Sequence, residues 1–165
     1  MSEAEERFLE TIAGLIPEAR GYRAWEGRAD TDERLRTHVA MELERLRVKI
    51  AELKAAASDE GEEDMLHELD KIDVRMERTI EALQSAAYAG LPFFAKADAA
   101  ESDLTRICAY DQELLDDLGL LTTDVMGMKY ETIGNLTLRE AEGTLAAIEL
   151  KITNRGYIFE KGGED

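Results

Sequence analysis

The amino-acid sequence predicts an all-α protein: an up-and-down helical bundle built on a long antiparallel coiled-coil hairpin, with a short N-terminal helix. Two stripes of apolar residues in steps of three and four, over 35–57 and 65–87, predict the arms of the hairpin. The short acidic turn Ser58-Asp59-Glu60-Gly61 separates them and makes the two arms antiparallel neighbours. Only two prolines occur in 165 residues, which suits a helical chain.

Composition limits the class of protein and its partners. A chain of 165 residues fits one domain over 1–165, with a core that needs neither disulfide nor metal. The formal net charge of -17 disfavours nucleic acid as a partner, because phosphates bind Lys and Arg. Cys108 is the only cysteine, so we expect a buried free thiol in a cytoplasmic protein. No run of 18 apolar residues occurs, and we therefore expect no transmembrane segment.

The first predicted element is a short amphipathic helix, Glu3 to Leu15, within residues 1–17. Phe8 and Ile12 lie on its apolar side, and Pro17 halts it. Its polar face is acidic, so we expect it to pack on the bundle rather than on a membrane surface.

The segment after Pro17 combines large rings with arginines, the residue types that most often anchor protein interfaces. It predicts a partner-binding surface formed by Tyr22, Arg23, Trp25 and Arg28. An alternative stays open: the two rings cover one end of the core while the arginines pair with Glu18, Glu26 or Asp30.

The hairpin is expected over residues 30–88, with a first arm about 36 Å long. The sequence Gly90-Leu91-Pro92-Phe93-Phe94 then interrupts the helical pattern, because proline removes a donor and biases the preceding residue toward extended geometry. A loop with buried aromatic residues is the favoured structure. Pro92, Phe93 and Phe94 are also candidate partner contacts.

Two further helices are expected within residues 102–154. Ser102 is a candidate cap for the first, whose apolar stripe is interrupted by Asp111. We expect that acid at the edge of the stripe, paired with an arginine or facing water; the alternative is a buried acid with a raised pKa. Thr137 and Glu140 match a capping box that begins the last helix. Asn154-Arg155-Gly156 is its predicted stop, and residues 155–165 form a tail whose Tyr157-Ile158-Phe159 packs on the bundle or meets a partner.

Metal chemistry has little support in the sequence. His38 and His67 are the only histidines, and neither follows a glutamate by three residues, as a di-iron bundle requires. A metal- or cofactor-holding bundle would have to use Asp111, Asp64 and His67. Because two ligands on one helix face are common by chance in so acidic a chain, we predict no metal and no cofactor. Motifs of nucleophilic catalysis and phosphate binding are also missing, so we predict no enzyme activity.

The opening of the chain contains Ile16-Pro17, then Gly21-Tyr22-Arg23 and an arginine-rich stretch from Glu26 to Arg36. These residues resemble the Ile-Pro-Gly-Tyr-x-Gly-Tyr motif, and the arginine-rich stretch leading into a long hairpin, of an uncharacterised family of small bacterial helical proteins. The likeness covers roughly the first 95 residues and departs at Glu18-Ala19. It implies an adaptor, because similar proteins are encoded near band-7-like membrane scaffolds.

The predicted function is that of a non-enzymatic interaction or adaptor protein that acts through protein contacts, with self-association as one form of this activity. Two alternatives remain open at this point. One is a bundle that holds a metal or cofactor; the other is a membrane-associated scaffold or remodelling hairpin, which the acidic first helix disfavours.

Overall fold

The computed structural model describes residues 1–88 and 90–160, and these residues form six helices and no strand. The helices are α1 (Glu3–Leu15), α2 (Trp25–Asp59), α3 (Glu63–Ser85), α4 (Pro92–Ala95), α5 (Glu101–Met126) and α6 (Asn135–Glu160). The predicted all-α class and the predicted bounds of the first helix are confirmed. Within the described part of the chain, no helix combines the length and the apolar character needed to cross a membrane.

Helices α2 and α3 form the predicted antiparallel hairpin. Gly61 has a φ of 69°, a left-handed conformation that glycine adopts without strain, and it turns the chain between the arms. Ion pairs between the arms link Arg47 to Asp73 at 2.9 Å and Lys54 to Asp70 at 2.8 Å. The hairpin departs from the prediction at its far end. α2 begins at Trp25 rather than near residue 30, and α3 ends at Ser85, which leaves Ala87 exposed and outside the apolar stripe.

A second antiparallel hairpin, α5 and α6, packs against the first with α2 beside α5 and α3 beside α6. The neighbouring helices of the two hairpins run parallel. Between α3 and α6, the Thr79 hydroxyl donates to Glu149 at 3.3 Å, and the start of α3 lies beside the start of α6. Between α2 and α5, the Thr122 hydroxyl donates to Glu42 at 3.2 Å, and residues nearer the start of α2 lie beside residues nearer the start of α5. Helices α3 and α5 therefore lie on a diagonal. The link between them crosses one end of the bundle, where α2 and α5 begin and α3 and α6 end; we call this end the base.

One hydrophobic core is shared by all six helices, and it runs the length of both hairpins. Each predicted apolar stripe supplies buried side chains, among them Leu43 of α2, Leu69 of α3, Leu121 of α5 and Leu145 of α6, each fully buried. α1 adds Phe8 and packs along α5. The amphipathic first helix is thus docked on the bundle.

Three predicted element boundaries are wrong. Pro92–Ala95 forms a short helix rather than a loop, because proline at the first helical position needs no backbone donor. Ser102 lies inside the first turn of α5, which begins at Glu101 with Ala100 in the capping position. Thr137 likewise lies inside α6, which begins at Asn135, so the capping box does not mark the start of that helix.

The last helix does not stop at Asn154-Arg155-Gly156 but continues to Glu160. Arg155, Ile158 and Phe159 are buried at the base, and this packing extends the helix through the predicted stop. Residues 155–160 are therefore part of the bundle rather than a tail. The remainder of the predicted tail, residues 161–165, lies outside the described residues.

Candidate functional site at the base of the bundle

All seven predicted contact residues come together at the base, although they lie in two segments about 65 positions apart in sequence. The ring of Tyr22 meets that of Phe93 at a centroid distance of 5.8 Å. The indole N–H of Trp25 donates to the backbone oxygen of Phe94 at 2.7 Å, and Arg28 donates to that of Phe93 at 3.2 Å. The segment after α1 and the link between α3 and α5 therefore form one unit.

A buried polar network lies at the centre of the base. The Tyr22 hydroxyl donates to Oδ2 of Asp111 at 2.5 Å. Arg155 donates from Nε to Oδ1 of Asp111 at 2.8 Å, and from Nη2 to Oδ2 at 3.1 Å and to the Tyr22 oxygen at 3.2 Å. Asp32 forms an ion pair with Arg155 at 2.9 Å. All four residues are at most 3% exposed, so no ligand reaches them in this conformation.

Burial and charge set the protonation of this network. Burial and the Asp111 carboxylate raise the pKa of Tyr22 well above its ordinary value, so the phenol stays a donor. Burial raises the pKa of Asp111, while Arg155 opposes that rise. Burial would lower the pKa of Arg155, but Asp111 and its other partners raise it well above the ordinary value. The guanidinium is therefore charged, and it holds both carboxylates of the network at once.

Asp111 corrects an expectation. It is fully buried, not at the edge of the apolar stripe, although the expected pairing with an arginine is confirmed. The second carboxylate, Asp32, also pairs with Arg36 at 3.0 Å, and Arg36 donates to the backbone oxygen of Leu83. Arg155 and Arg36 thus balance the charges of Asp111 and Asp32, and buried carboxylates need such partners in order to be stable.

Arg28 is 2% exposed and pairs with none of the acids expected for it. Its guanidinium instead donates to four backbone oxygens, at distances from 2.6 to 3.3 Å, those of Tyr22, Arg23, Phe93 and Lys96. A planar fork with five N–H groups suits this task. Arg28 therefore ties the segment before α2 to the short helix α4.

The aromatic residues of the base pack on one another. Phe93 and Phe94 both contact the ring of Phe159, at 5.3 and 4.7 Å between centroids, and Tyr88 contacts it at 4.9 Å. Tyr22 stacks on Phe8 of α1 at 5.6 Å. These rings close the end of the hydrophobic core, which confirms the alternative prediction for Tyr22.

Only some of the seven predicted contact residues can therefore form a partner surface. Tyr22, Arg28, Phe93 and Phe94 are buried within the chain, so their side chains are not available to a partner in this conformation. Three residues remain at the surface, and we call them the Trp25 surface: Arg23, Trp25 and Pro92.

Trp25 is 44% exposed, and Arg23 bridges Glu5 of α1 and Glu101 of α5, each at 2.8 Å. A groove of about 590 Å³ includes both sequence neighbours of Trp25, Ala24 and Glu26, in its lining.

The residues proposed for a metal or cofactor do not come together. Asp64 and His67 line a surface cavity of about 390 Å³ with Arg139 of α6, far from the base. Asp111 contacts Arg155, and positions 139 and 155 lie about 24 Å apart along α6. Among the described residues, no group of three or more potential ligands is placed to hold a metal ion.

Sequence reasoning missed Arg155 and Asp32, although a signal for both exists. Arg155 continues the buried stripe of α6 three residues after Ile152, and Asp32 precedes Leu35 in the stripe of α2 by the same step. A charged residue in an apolar stripe needs a buried partner of opposite sign. The stripes therefore mark Asp111, Asp32 and Arg155 as buried charges, while the fold decides which of them pair.

Comparisons with protein-family models, curated proteins and solved structures yield no match for this chain. The resemblance to the family of small bacterial helical proteins stays a prediction.

Proposed function

We propose that this chain is a non-enzymatic, cytoplasmic interaction or adaptor protein that captures a protein partner with its Trp25 surface. The observation that carries the proposal is the state of Trp25. Its ring is 44% exposed, yet its indole N–H is held at 2.7 Å by the backbone oxygen of Phe94. Tryptophan is one of the residue types that contribute most of the binding energy at protein interfaces, and Trp25 is the only one in this chain.

The base around Trp25 is organised before any partner arrives. Arg28 fixes the backbone on both sides of the ring, and Arg23 bridges Glu5 and Glu101. A side chain that is already ordered loses little conformational entropy on binding, so more of the contact energy appears as affinity. A groove lined by Ala24 and Glu26, the sequence neighbours of Trp25, opens on the same segment, although Trp25 itself does not line it.

The buried network supports the non-enzymatic part of the proposal. A catalytic group has to contact its substrate, and perturbed acids such as Asp111 are the usual candidates. Asp111 and Arg155 are fully buried, and Tyr22 is 1% exposed, so these groups hold the base together instead. Their role in function is to position Trp25.

The nature of the partner follows from charge and from the family resemblance. A formal net charge of -17 opposes binding to phosphate backbones, so the proposed partner is a protein rather than a nucleic acid. The resemblance implies a band-7-like membrane scaffold, which is the first partner to test. Binding to such a scaffold would recruit this chain to a membrane surface.

Site-specific photocrosslinking tests the proposal. A photoreactive residue replaces either Ala24, next to Trp25, or Ala55, which is also exposed and lies near the other end of α2. We expect a discrete crosslinked product from position 24 in cells, absent from position 55 and abolished when Trp25→Ala is added. Mass spectrometry of the product identifies the partner. Equal products from both positions, or a product from position 24 that survives Trp25→Ala, would contradict the proposal.

A further inference from the structure

Helix α1 packs on the outside of the bundle. Among the helices that the structure describes, it adjoins α5 alone, whereas each of the other five adjoins at least two helices. Of its 13 residues, Glu5, Phe8 and Ile12 are buried. An isolated helix of this length is marginally stable in water, so α1 is helical because it is docked. Its undocking would leave the packing of α2, α3, α5 and α6 on one another in place.

Two side chains of α1 contact the segment that carries the Trp25 surface. The carboxylate of Glu5 accepts two hydrogen bonds from Arg23, at 2.9 Å from Nε and 2.8 Å from Nη2. The ring of Phe8 is fully buried and stacks on the ring of Tyr22, with 1° between the ring planes. Arg23 is part of the Trp25 surface, and Tyr22 belongs to the buried network of the base. α1 therefore contacts both the surface and the network.

Charge makes the position of α1 depend on Arg23. The Glu5 side chain is 3% exposed, and Arg23 is the cation that pairs with it. A buried carboxylate is costly without such a partner. Arg23 also pairs with Glu101 of α5 at 2.8 Å, so it lies between two carboxylates that would otherwise repel each other. One guanidinium therefore joins α1, α5 and the Trp25 surface.

Gly21 brings the backbone of the same segment against α1. Its φ is 97°, a conformation that glycine adopts without strain, and an added Cβ would lie 2.7 Å from Cδ2 of Leu9. Thr31 of α2 holds the same residue: its hydroxyl accepts from the Gly21 N–H at 3.0 Å and donates to the Gly21 oxygen at 2.9 Å. The segment is thus held by α1 and by α2, and α1 is the one with a single helical neighbour.

We infer that α1 is a regulatory element that controls the Trp25 surface. While α1 is docked on α5, Arg23 and Trp25 are held ready for a partner; when α1 opens, residues 20–25 loosen and partner capture is lost. Proteins open locally in units of this kind while the rest of the fold persists. The consequence for capture rests on the proposed function, whereas the coupling between α1 and residues 20–25 does not.

Thermodynamic linkage gives the coupling a reciprocal effect. If docking of α1 favours partner binding, the partner favours docking of α1 by the same factor. A bound partner should therefore slow the opening of α1, although α1 contributes no residue to the Trp25 surface. Anything that holds α1 away from α5 should release the partner.

Hydrogen exchange of the free, full chain, followed by NMR, tests the coupling without a partner. The reporters are the amides of α1, the amide of Gly21 and the indole N–H of Trp25, which gives one signal because the chain has one tryptophan. Phe8→Ala removes a fully buried ring, so it should speed exchange at all three reporters together by at least about 10-fold. Exchange in the middle of α3 and α6 should not change. A uniform rise over all helices would overturn the inference, because α1 would then not open separately.

Gly14→Ala tests the coupling in the opposite direction. A Cβ added at this position of α1 meets no atom within 4 Å, so alanine should favour the helix and slow exchange about 2- to 5-fold at all three reporters. Gly143→Ala is the matched control, because its Cβ also meets no atom within 4 Å and it lies in α6, which does not adjoin α1. It should leave the reporters unchanged. Altered exchange in α1 without a matching change at Gly21 and Trp25 would overturn the inference.

Photocrosslinking from position 24 tests the consequence for capture. Phe8 is fully buried and does not touch a partner, yet Phe8→Ala should lower the yield of crosslinked product per chain in proportion to the undocked fraction. Glu10→Gln changes an exposed position of α1 and should leave the yield unchanged. In the purified crosslinked complex, exchange in α1 should be slower than in the free chain.

The outcomes separate this inference from the proposed function. An unchanged yield with Phe8→Ala, or unchanged exchange of α1 in the complex, would overturn control by α1. Failure of the unsubstituted chain to give any product would contradict the proposed function, and the exchange measurements on the free chain would still decide whether α1 is coupled to Trp25.

Discussion

Arg155 of α6 holds Asp111 of α5 through two hydrogen bonds, Nε to Oδ1 at 2.8 Å and Nη2 to Oδ2 at 3.1 Å, with both side chains fully buried. The same guanidinium lies 2.9 Å from Asp32 of α2 and donates to the Tyr22 oxygen at 3.2 Å. One side chain therefore connects three helices and the segment before α2. It fixes the end of the bundle from which Trp25 projects.

Removing Arg155 should destabilise the protein strongly. Arg155→Met leaves Asp111 and Asp32 buried with less charge to balance them, and we expect the free energy of unfolding to fall by about 3 to 5 kcal/mol. Chemical denaturation followed by circular dichroism measures this change. Lys151→Met is the matched control: it removes a partly exposed ion pair with Asp117 one turn earlier in α6, and should cost less than about 1 kcal/mol.

The double variant Arg155→Met, Asp111→Leu should recover part of that loss. It removes the buried carboxylate that Arg155→Met alone leaves without its main partner. If the double variant is no more stable than Arg155→Met alone, the pair is not energetically coupled as described.

Arg28→Lys should loosen the base without unfolding the bundle. Lysine keeps the charge but lacks the planar fork that reaches four backbone oxygens, so we expect a loss of about 2 to 3 kcal/mol. Hydrogen exchange should rise in residues 91–96 and 20–24. Protection in the middle of α2 and α3 should stay unchanged; a uniform rise over all helices would instead indicate global destabilisation.

Cys108 should make the protein less stable in alkali. Burial raises the pKa of this thiol to about 12, against about 8.5 in an unfolded chain. Between these values the unfolded state loses the proton while the folded state keeps it, so stability falls as pH rises through this window. From pH 8 to pH 10 the free energy of unfolding should fall by about 1 to 2 kcal/mol more in the wild type than in Cys108→Ala. Comparison of the two proteins cancels the contribution of every group that both contain; parallel pH curves would contradict the prediction.

Trp25 should contribute little to stability. Trp25→Phe loses the hydrogen bond to Phe94 and should cost about 1 kcal/mol with an unchanged far-ultraviolet spectrum. Since Trp25 is the only tryptophan, its fluorescence reports on the base alone. We expect acrylamide to quench the Trp25 fluorescence of the free protein. In the crosslinked complex, the partner should cover the ring and reduce this quenching. Cooperative unfolding of Trp25→Phe at room temperature would show that Trp25 is a core residue instead.

The helices were predictable wherever a stripe of apolar residues ran without interruption. Leu35 to Ala57 predicted most of α2, and Phe8 with Ile12 predicted α1 to the residue. Prediction failed at the start of α2 and at the end of α6, because these helix ends depend on tertiary contacts more than on propensity. α6 passes Gly156 since Phe159 is buried, and α2 starts before Gly27 since Arg28 is held by the backbone of α4.

The spacing of apolar residues along the sequence determined the all-α class, the antiparallel hairpin and the identity of most core residues. Apolar residues three and four positions apart lie on one face of a helix, and that face is the one that is buried. Which helices adjoin was decided by the tertiary structure: α3 lies beside α6 in a parallel pair, and the link carrying Phe93 crosses the base. The same packing buried Tyr22 and left Trp25 at the surface, although both lie in one short segment. Pairing between residues as distant as Tyr22, Asp111 and Arg155 leaves no local pattern, since the energy of a buried charge depends on what the fold places beside it.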